Sequence, residues 1–196
     1  MRRIVGLLLL GCVAGGSAEA QSRAFVLRER AEYEAWLRQA PESPLALDLR
    51  QTELLSWYPY DGGPVFLSAI QPDRTGAVYQ VVSDEGKLMD VTTAGTMTVA
   101  IGGVLSRLIV WRLPAPPGGV VEYEVHFTDS TNVEETHPAG RFVTLTELPE
   151  GRFLIDFNRA RSPFCAYDAA RPCPPRAQAS AIAAAVRAGE RAALYR

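Results

Sequence analysis

Charge of one sign, histidine, cysteine and long apolar runs are all scarce in this sequence, and each scarcity excludes something. Lys and Arg number 20 against 22 Asp and Glu, for a formal net charge of -2. A protein that holds polyphosphate needs a concentrated basic face, so this balance excludes nucleic acid and an anionic membrane surface as main partners. His126 and His137 are the whole supply of histidine. No His-Glu-x-x-His, Gly-x-Ser-x-Gly or phosphate-loop string occurs, so the chain carries no signature of a zinc protease, a serine hydrolase or a nucleotide enzyme. Beyond residue 20 no run reaches the ~20 apolar residues that a membrane-spanning helix needs.

What is present begins with the form of an export signal. Met1-Arg2-Arg3 is a short basic region, Ile4 to Ala14 an apolar core, and Ala18-Glu19-Ala20 a small-x-small site. This predicts a signal peptide over 1–20 and a mature chain over 21–196 that forms one β-rich domain, periplasmic or secreted. The alternative reading takes Leu9-Leu10-Gly11-Cys12 as a lipoprotein box, with Cys12 acylated and the protein anchored to a membrane face. Either way the body of the chain keeps Cys165 and Cys173. An even pair in an exported chain reads as a structural disulfide, and closing that loop contributes about 2–3 kcal/mol. A redox pair favours Cys-x-x-Cys, which is absent, and a metal site needs His126, His137 or carboxylates to arrive from elsewhere in the fold.

Hydrophobic spacing predicts an amphipathic helix over Phe25 to Ala40, stopped by Pro41. Pro44, Pro59 and Asp61-Gly62-Gly63 frame a short helix or turn. Six β-branched and aromatic segments follow, Val65 to Ile70, Ala77 to Ser83, Lys87 to Thr93, Thr96 to Ile101, Val104 to Leu113 and Val120 to Phe127. Turn residues punctuate them at hairpin spacing. In the last, Tyr123, Val125 and Phe127 alternate with Glu122, Glu124 and His126, which predicts one buried and one solvated face. Phe142 to Leu148 and Arg152 to Phe157 read as a final hairpin, and the alanine-rich Ala177 to Leu194 as a C-terminal helix. The fold class is therefore mainly β, of α+β type: an antiparallel meander forming a sandwich or partly open barrel, with a helix at each end packed on it.

Several strings carry a resemblance. Asp129-x-Thr131-Asn132-x-x-Glu135-Thr136, Gly140-Arg141-Phe142, Asp156-Phe157-Asn158-Arg159-Ala160, Pro163-x-Cys165-Ala166-Tyr167, Cys173-Pro174 and Ala188-Gly189-Glu190 resemble the exported bacterial family of unknown function DUF1684 in its shorter form. Ser43-Pro44-Leu45 is similar to that form's early Ser-Pro-Leu. The resemblance implies a fold neighbourhood and a motif set; it implies no reaction. The chain departs from the pattern at His137, where an aromatic is usual, at Ala160-Arg161-Ser162-Pro163, and at Ala179-Ser180, where the pattern has Glu-Asn.

The retained polar set defines the candidate site: Asp129, Glu135, Arg141, Asp156, Asn158, Arg159 and Tyr167. As a ligand site, Arg141 and Arg159 would hold an anionic or carbohydrate ligand, with Asn158 and Tyr167 orienting it. As a hydrolase, Asp129 or Glu135 would act as general acid or base beside Asp156. As a structural lock, the same charges would pair with one another inside the protein. Asp129, Thr131 and Glu135 do not have the spacing of a helix-loop-helix calcium loop, and the reading includes no metal or cofactor. The exposure of Arg141 and Arg159 separates the readings.

Overall fold

The computed structural model describes residues 14–51, 55–115 and 118–191, with side chains from residue 19. The leader as far as Val13, with Cys12, lies outside the described residues. Helix α1 covers Ala14–Gln39. The strands are β1 (Val65–Ala69), β2 (Gln71–Pro72), β3 (Val78–Val82), β4 (Leu88–Ile101), β5 (Val104–Arg112), β6 (Tyr123–Thr128), β7 (Arg141–Thr144), β8 (Thr146–Leu148), β9 (Arg152–Asp156) and β10 (Ser180–Ala181). They build two open sheets. One has the order β1-β9-β8; the other has the order β10-β6-β5-β4-β2, with β3 also on β4 and β7 also on β6. Every pairing is antiparallel except β10 on β6.

The sheets meet face to face in a sandwich-like core. Val99, Leu108, Val110, Val125, Phe127 and Val143 of the larger sheet pack with Phe153, Ile155 and Phe157. A bulge in β4 makes this core compatible with a second one. Thr93 pairs with Trp111 and Gly95 with Val110, so β4 holds one extra residue there. Because side chains alternate with period two, the extra residue moves the odd positions of β4 to the opposite face. Val91 therefore packs with Val81 and Trp111 on the outer face, whereas Met97, Val99 and Ile101 enter the inner core. Gly95 is required at the bulge: its φ is +139° and an added Cβ would lie 1.9 Å from the Gln71 carbonyl oxygen.

The sequence reads Phe142 to Leu148 as one strand, but Leu145 turns the chain from one sheet to the other, so β7 and β8 belong to different layers. Likewise the expected strands over 87–93 and 96–101 are one bulged strand. Helix α1 buries Val26, Arg30 and Leu37. Arg30 interrupts an apolar stripe because it is an anchor: it donates to the carbonyl oxygens of Asn158 (2.9 Å) and Tyr58 (2.9 Å). Ser43 closes the helix by donating to the Leu37 carbonyl at 2.6 Å. None of the described helices is long and apolar enough to cross a membrane. Cys165 and Cys173 are joined in a disulfide with Cα atoms 5.4 Å apart.

Two expectations are corrected. Glu124 and His126 do not face solvent; they are 7% and 1% exposed, because the β3–β4 turn and residues 161–164 fold over that face of β6. The alanine-rich C-terminal segment is not helical either. Through residue 191 it holds a short 3-10 turn (Arg176–Gln178), β10 and an extended chain. Helix propensity loses there because the carbonyls that a helix would use internally are engaged by outside donors. Arg141 takes those of Val186, Ala188 and Glu190, and the Tyr58 amide takes that of Gly189.

Gly189 has φ +78°, and an added Cβ would lie 2.7 Å from the carbonyl oxygens of both Phe157 and Ala160. Gly189→Ala, which raises helix propensity, is therefore expected to lower stability, by about 1–3 kcal/mol. Denaturant unfolding checks it, and an unchanged or higher midpoint would contradict the packing described.

Candidate functional site

The seven residues singled out in the sequence fall into five polar arrangements, two of which share Glu190. Arg141, at the start of β7, is fully buried. Its guanidinium pairs with Asp129 Oδ2 at 2.7 Å and donates to Val186 O (2.8 Å), Ala188 O (2.5 Å) and Glu190 O (3.2 Å). It lies 5.1 Å from the Phe127 ring centroid. Asp129 is presented by its own turn: Oδ1 accepts from the Thr131 amide (2.7 Å) and hydroxyl (2.5 Å), while Asn132 Nδ2 and the Thr131 hydroxyl both reach Thr136 Oγ1. The Asp-x-Thr-Asn string is thus a hydrogen-bonded cradle for one carboxylate.

Asp156 ends β9 and caps the following 3-10 turn, accepting from the Asn158 amide at 2.9 Å and Asn158 Nδ2 at 2.8 Å. Asn158 in turn exchanges hydrogen bonds with the backbone of Asp61. Arg159 is bidentate to Glu29 of α1 and donates to Thr146 Oγ1. Tyr167 donates to Glu190 Oε1, whose other oxygen accepts from the Ser162 amide. Burial raises the pKa of both Glu190 and Tyr167, so the tyrosine keeps its proton. Glu135 accepts from Tyr58 (2.8 Å) and holds Arg187 with both oxygens. Hydrogen bonds from Arg187 and then Tyr58 pull the Glu135 carboxyl below its ordinary value.

A different set of groups surrounds open space. Between α1, the outer face of β6 and the β3–β4 turn lies a cavity of about 590 Å³. Tyr33 and Trp36 of α1, Trp111 of β5, and Phe142 and Phe164 give it aromatic walls. Asp84, Glu124, His126 and Arg161 give it polarity. Main-chain pairing fixes the rim: Phe142 and Arg161 exchange two 2.9 Å hydrogen bonds, and the Phe164 amide reaches Asp84 O at 2.6 Å. The Arg161 guanidinium sits 4.8 Å over the Tyr33 ring. Among the described residues, no protein acceptor hydrogen-bonds this guanidinium and no protein donor hydrogen-bonds the Glu124 carboxylate.

The cavity perturbs its own acids. Burial raises Glu124 well above the ordinary carboxyl range, with Asp84 adding to the shift and Arg161 opposing it. Asp84 is raised as well, again by burial first, while Arg161 works against it. His126 stacks on Phe142 at 4.3 Å. Its Nε2 is 2.8 Å from Ala139 O, and a carbonyl only accepts, so Nε2 carries the proton. Burial lowers its pKa to about 4 against the opposing pull of that carbonyl, which makes the ring neutral at pH 7. A second cavity of about 260 Å³ shares Tyr33, Thr144 and Arg161 with the first and is bordered by Arg159. The arrangement offers donors, acceptors and ring faces within one enclosure. Sequence reasoning missed it because Asp84, Glu124 and Arg161 are far apart in the chain, and Glu124 and His126 looked like a wet strand face.

Arg141 and the cavity differ in what removal does. Arg141→Ala leaves Asp129 buried and three carbonyls without their donor, and is expected to destabilise by about 3–5 kcal/mol. Thermal and denaturant melts check it; a loss below about 0.5 kcal/mol, the usual size for an exposed site, would contradict the interior role.

Comparison with known proteins places the fold without naming a reaction. The family model described as "Protein of unknown function (DUF1684)" matches residues 51–191. An uncharacterised protein of Haloarcula marismortui, solved in solution by NMR, is similar in structure with a TM-score of 0.69 and 22% identity, over 89% of this chain and 96% of its own. No curated protein matches the sequence. The conserved-type strings now have places in the fold, from the Asp129 cradle to the Gly189 turn, and the family match spans them: the chain belongs to the DUF1684 family.

Proposed function

We propose that this protein is a non-catalytic binding domain for a small polyhydroxylated ligand of carbohydrate type, held in the cavity beneath α1. The observation that carries the reading is the pair Arg161 and Glu124. Both border the cavity, Glu124 buried and Arg161 half-buried with its guanidinium over the Tyr33 ring, and neither is hydrogen-bonded among the described residues. A largely desolvated guanidinium and carboxyl that attract each other but have no protein hydrogen bond are costly, and groups of this kind are often kept for a ligand. A sugar ring supplies hydroxyls that both accept and donate, and its C–H faces suit the walls made by Trp36, Trp111 and Phe142. A simple anion fits less well, because Asp84, Glu85, Glu122 and Glu124 outnumber Lys87 and Arg161 around the opening.

In this reading Asp129, Glu135, Arg141, Asp156, Asn158 and Tyr167 are framework, and Arg159 holds α1 through Glu29 at the cavity's second lobe. The domain works outside the cytoplasm as a single unit over 21–196. The form of the leader and the disulfide support this, with lipidation of Cys12 the alternative route. The hydrolytic alternative rests on Asp84 and Glu124 instead of the carboxylates first considered. A protonated Glu124 would donate to a leaving oxygen and Asp84 would activate water. Release of reducing ends from glycans, lost in Glu124→Gln, would favour it over binding alone.

Titration of the protein with mono- and disaccharides, followed by calorimetry, is expected to find a ligand whose affinity falls at least about 100-fold in Arg161→Ala, while that variant's stability shifts by less than about 1 kcal/mol. Glu124→Gln separates binding from folding. The folded-state pKa of Glu124 lies above its unfolded value, so its ionisation opposes folding increasingly as pH rises from about 4.5. Glu124→Gln should therefore melt higher than the parent at pH 7 and equal it near pH 4, while binding the sugar more weakly. No sugar binding in the parent, or a glutamine variant less stable at pH 7, would refute the assignment.

A further inference from the structure

We propose that Cys165, Cys173 and His137 form a redox-gated site for a thiophilic cation, closed while the disulfide is intact and opened by a dithiol reductant. The two sulfurs and a ring nitrogen of His137 all lie within 4.8 Å of one another. They come from two distant stretches of chain, so their meeting is a product of the fold. Neither stretch depends on the disulfide alone for its place. Asn132 Nδ2 fixes the His137 carbonyl at 2.9 Å, which holds the residue in place while a cation takes over the ring lone pair that now accepts from the Ala139 amide at 3.2 Å. Cys165 is buried in the 3-10 turn Phe164–Ala166, which is bound to Asp84 through the Phe164 amide. Arg171 ties the Cys173 loop to Glu85 O at 3.2 Å, and Arg176 ties it to Pro138 O at 2.5 Å, beside His137 itself. Opening the disulfide leaves these tethers in place.

The exchange is balanced by the reductant. Cys173 is exposed and Cys165 buried, so a thiolate of the dithiol attacks the Cys173 sulfur and Cys165 departs as a thiolate beside His137. The second thiol of the reductant resolves the mixed disulfide. The protein gains two electrons and two protons, and the reductant leaves as its own disulfide. A cation then displaces the thiol protons. Two thiolates and one imidazole make a neutral complex with Zn²⁺ and suit thiophilic d10 ions over Mg²⁺ or Ca²⁺. Tetrahedral zinc holds two sulfurs roughly 3.8 Å apart, which side-chain rotation supplies with the Cα atoms near their present 5.4 Å separation. One coordination position remains open.

The test uses the whole protein, oxidised or reduced anaerobically, with Zn²⁺ as the probe in competition with a chromophoric chelator and Co²⁺ for absorption spectra. The reduced form is expected to bind one equivalent at least about 100-fold more tightly than the oxidised form, with a sulfur-to-cobalt charge-transfer band and the intense visible bands of a tetrahedral ion. His137→Ala should lose at least about tenfold in affinity and change the cobalt spectrum. Equal binding by the two redox forms would overturn the proposal. So would full-affinity binding by reduced His137→Ala, which is how two thiols on an unfolded chain would behave.

Discussion

A guanidinium taken wholly out of water needs acceptors, and the way this chain supplies four of them to the two terminal nitrogens of Arg141, leaving only Nε without one, sets much of its architecture. One acceptor is Asp129, aimed by the Thr131 and Asn132 cradle; the other three are carbonyls of residues 186–190. The demand draws the end of the described chain back across the core and keeps it extended despite its alanine content. It also places Glu190, the residue that receives Tyr167, and lets the Tyr58 amide dock on Gly189. A buried pair of this kind contributes little net stability, since desolvation consumes most of the Coulombic gain, yet losing either partner is severe. Its value lies in fixing one arrangement of three segments.

Arg30 repeats the device close by: Tyr58, whose carbonyl it takes, docks its own amide on Gly189 between the carbonyls that Arg141 holds. Arg30's carbonyl acceptors, Tyr58 and Asn158, belong to the loop before β1 and the turn after β9, which lie together because Val65 pairs with Asp156, so α1 is clamped to one end of the smaller sheet. Asp156 and Asn158 shape that turn, and Arg159 adds a half-buried bond to Glu29. With α1 held there, Tyr33 and Trp36 stand over the outer face of β6 and the cavity exists. The polar interior and the cavity are therefore related as support and supported: in the first the charged groups meet protein hydrogen-bond partners, with Arg141 Nε and Ser162 Oγ the atoms left over, whereas in the second Arg161 and Glu124 have none among the described residues.

The strands were legible because period-two alternation and Gly/Pro turns are local signals, and every β segment expected from them has a counterpart. The disulfide was legible from cysteine arithmetic. What escaped were non-local effects. A bulge at Thr93–Gly95 fuses two expected strands, and Leu145 divides another between sheets; neither leaves a mark in hydrophobicity. The C-terminal segment has good helical propensity, but the needs of Arg141 override it. Glu124 and His126 sit on the alternate face of a strand, and the sequence carries no sign that residues 161–164 will fold over them. Arg161 registered only as a departure from a family pattern, and Asp84 only as a turn residue, so the cavity was invisible until the fold joined them.

The central claim is that polar groups paired with one another build this domain, while those beneath α1 that lack a protein hydrogen bond receive its ligand. The most direct measurement is a ¹H–¹⁵N NMR titration of the protein with a carbohydrate panel, following the indoles of Trp36 and Trp111 and the Nε–H groups of the arginines. The account predicts ligand-dependent shifts at Trp36, Trp111 and Arg161, with Arg141 and Arg30 unmoved. Shifts centred on Arg141, or on the Asp129 cradle, with Arg161 silent would contradict it.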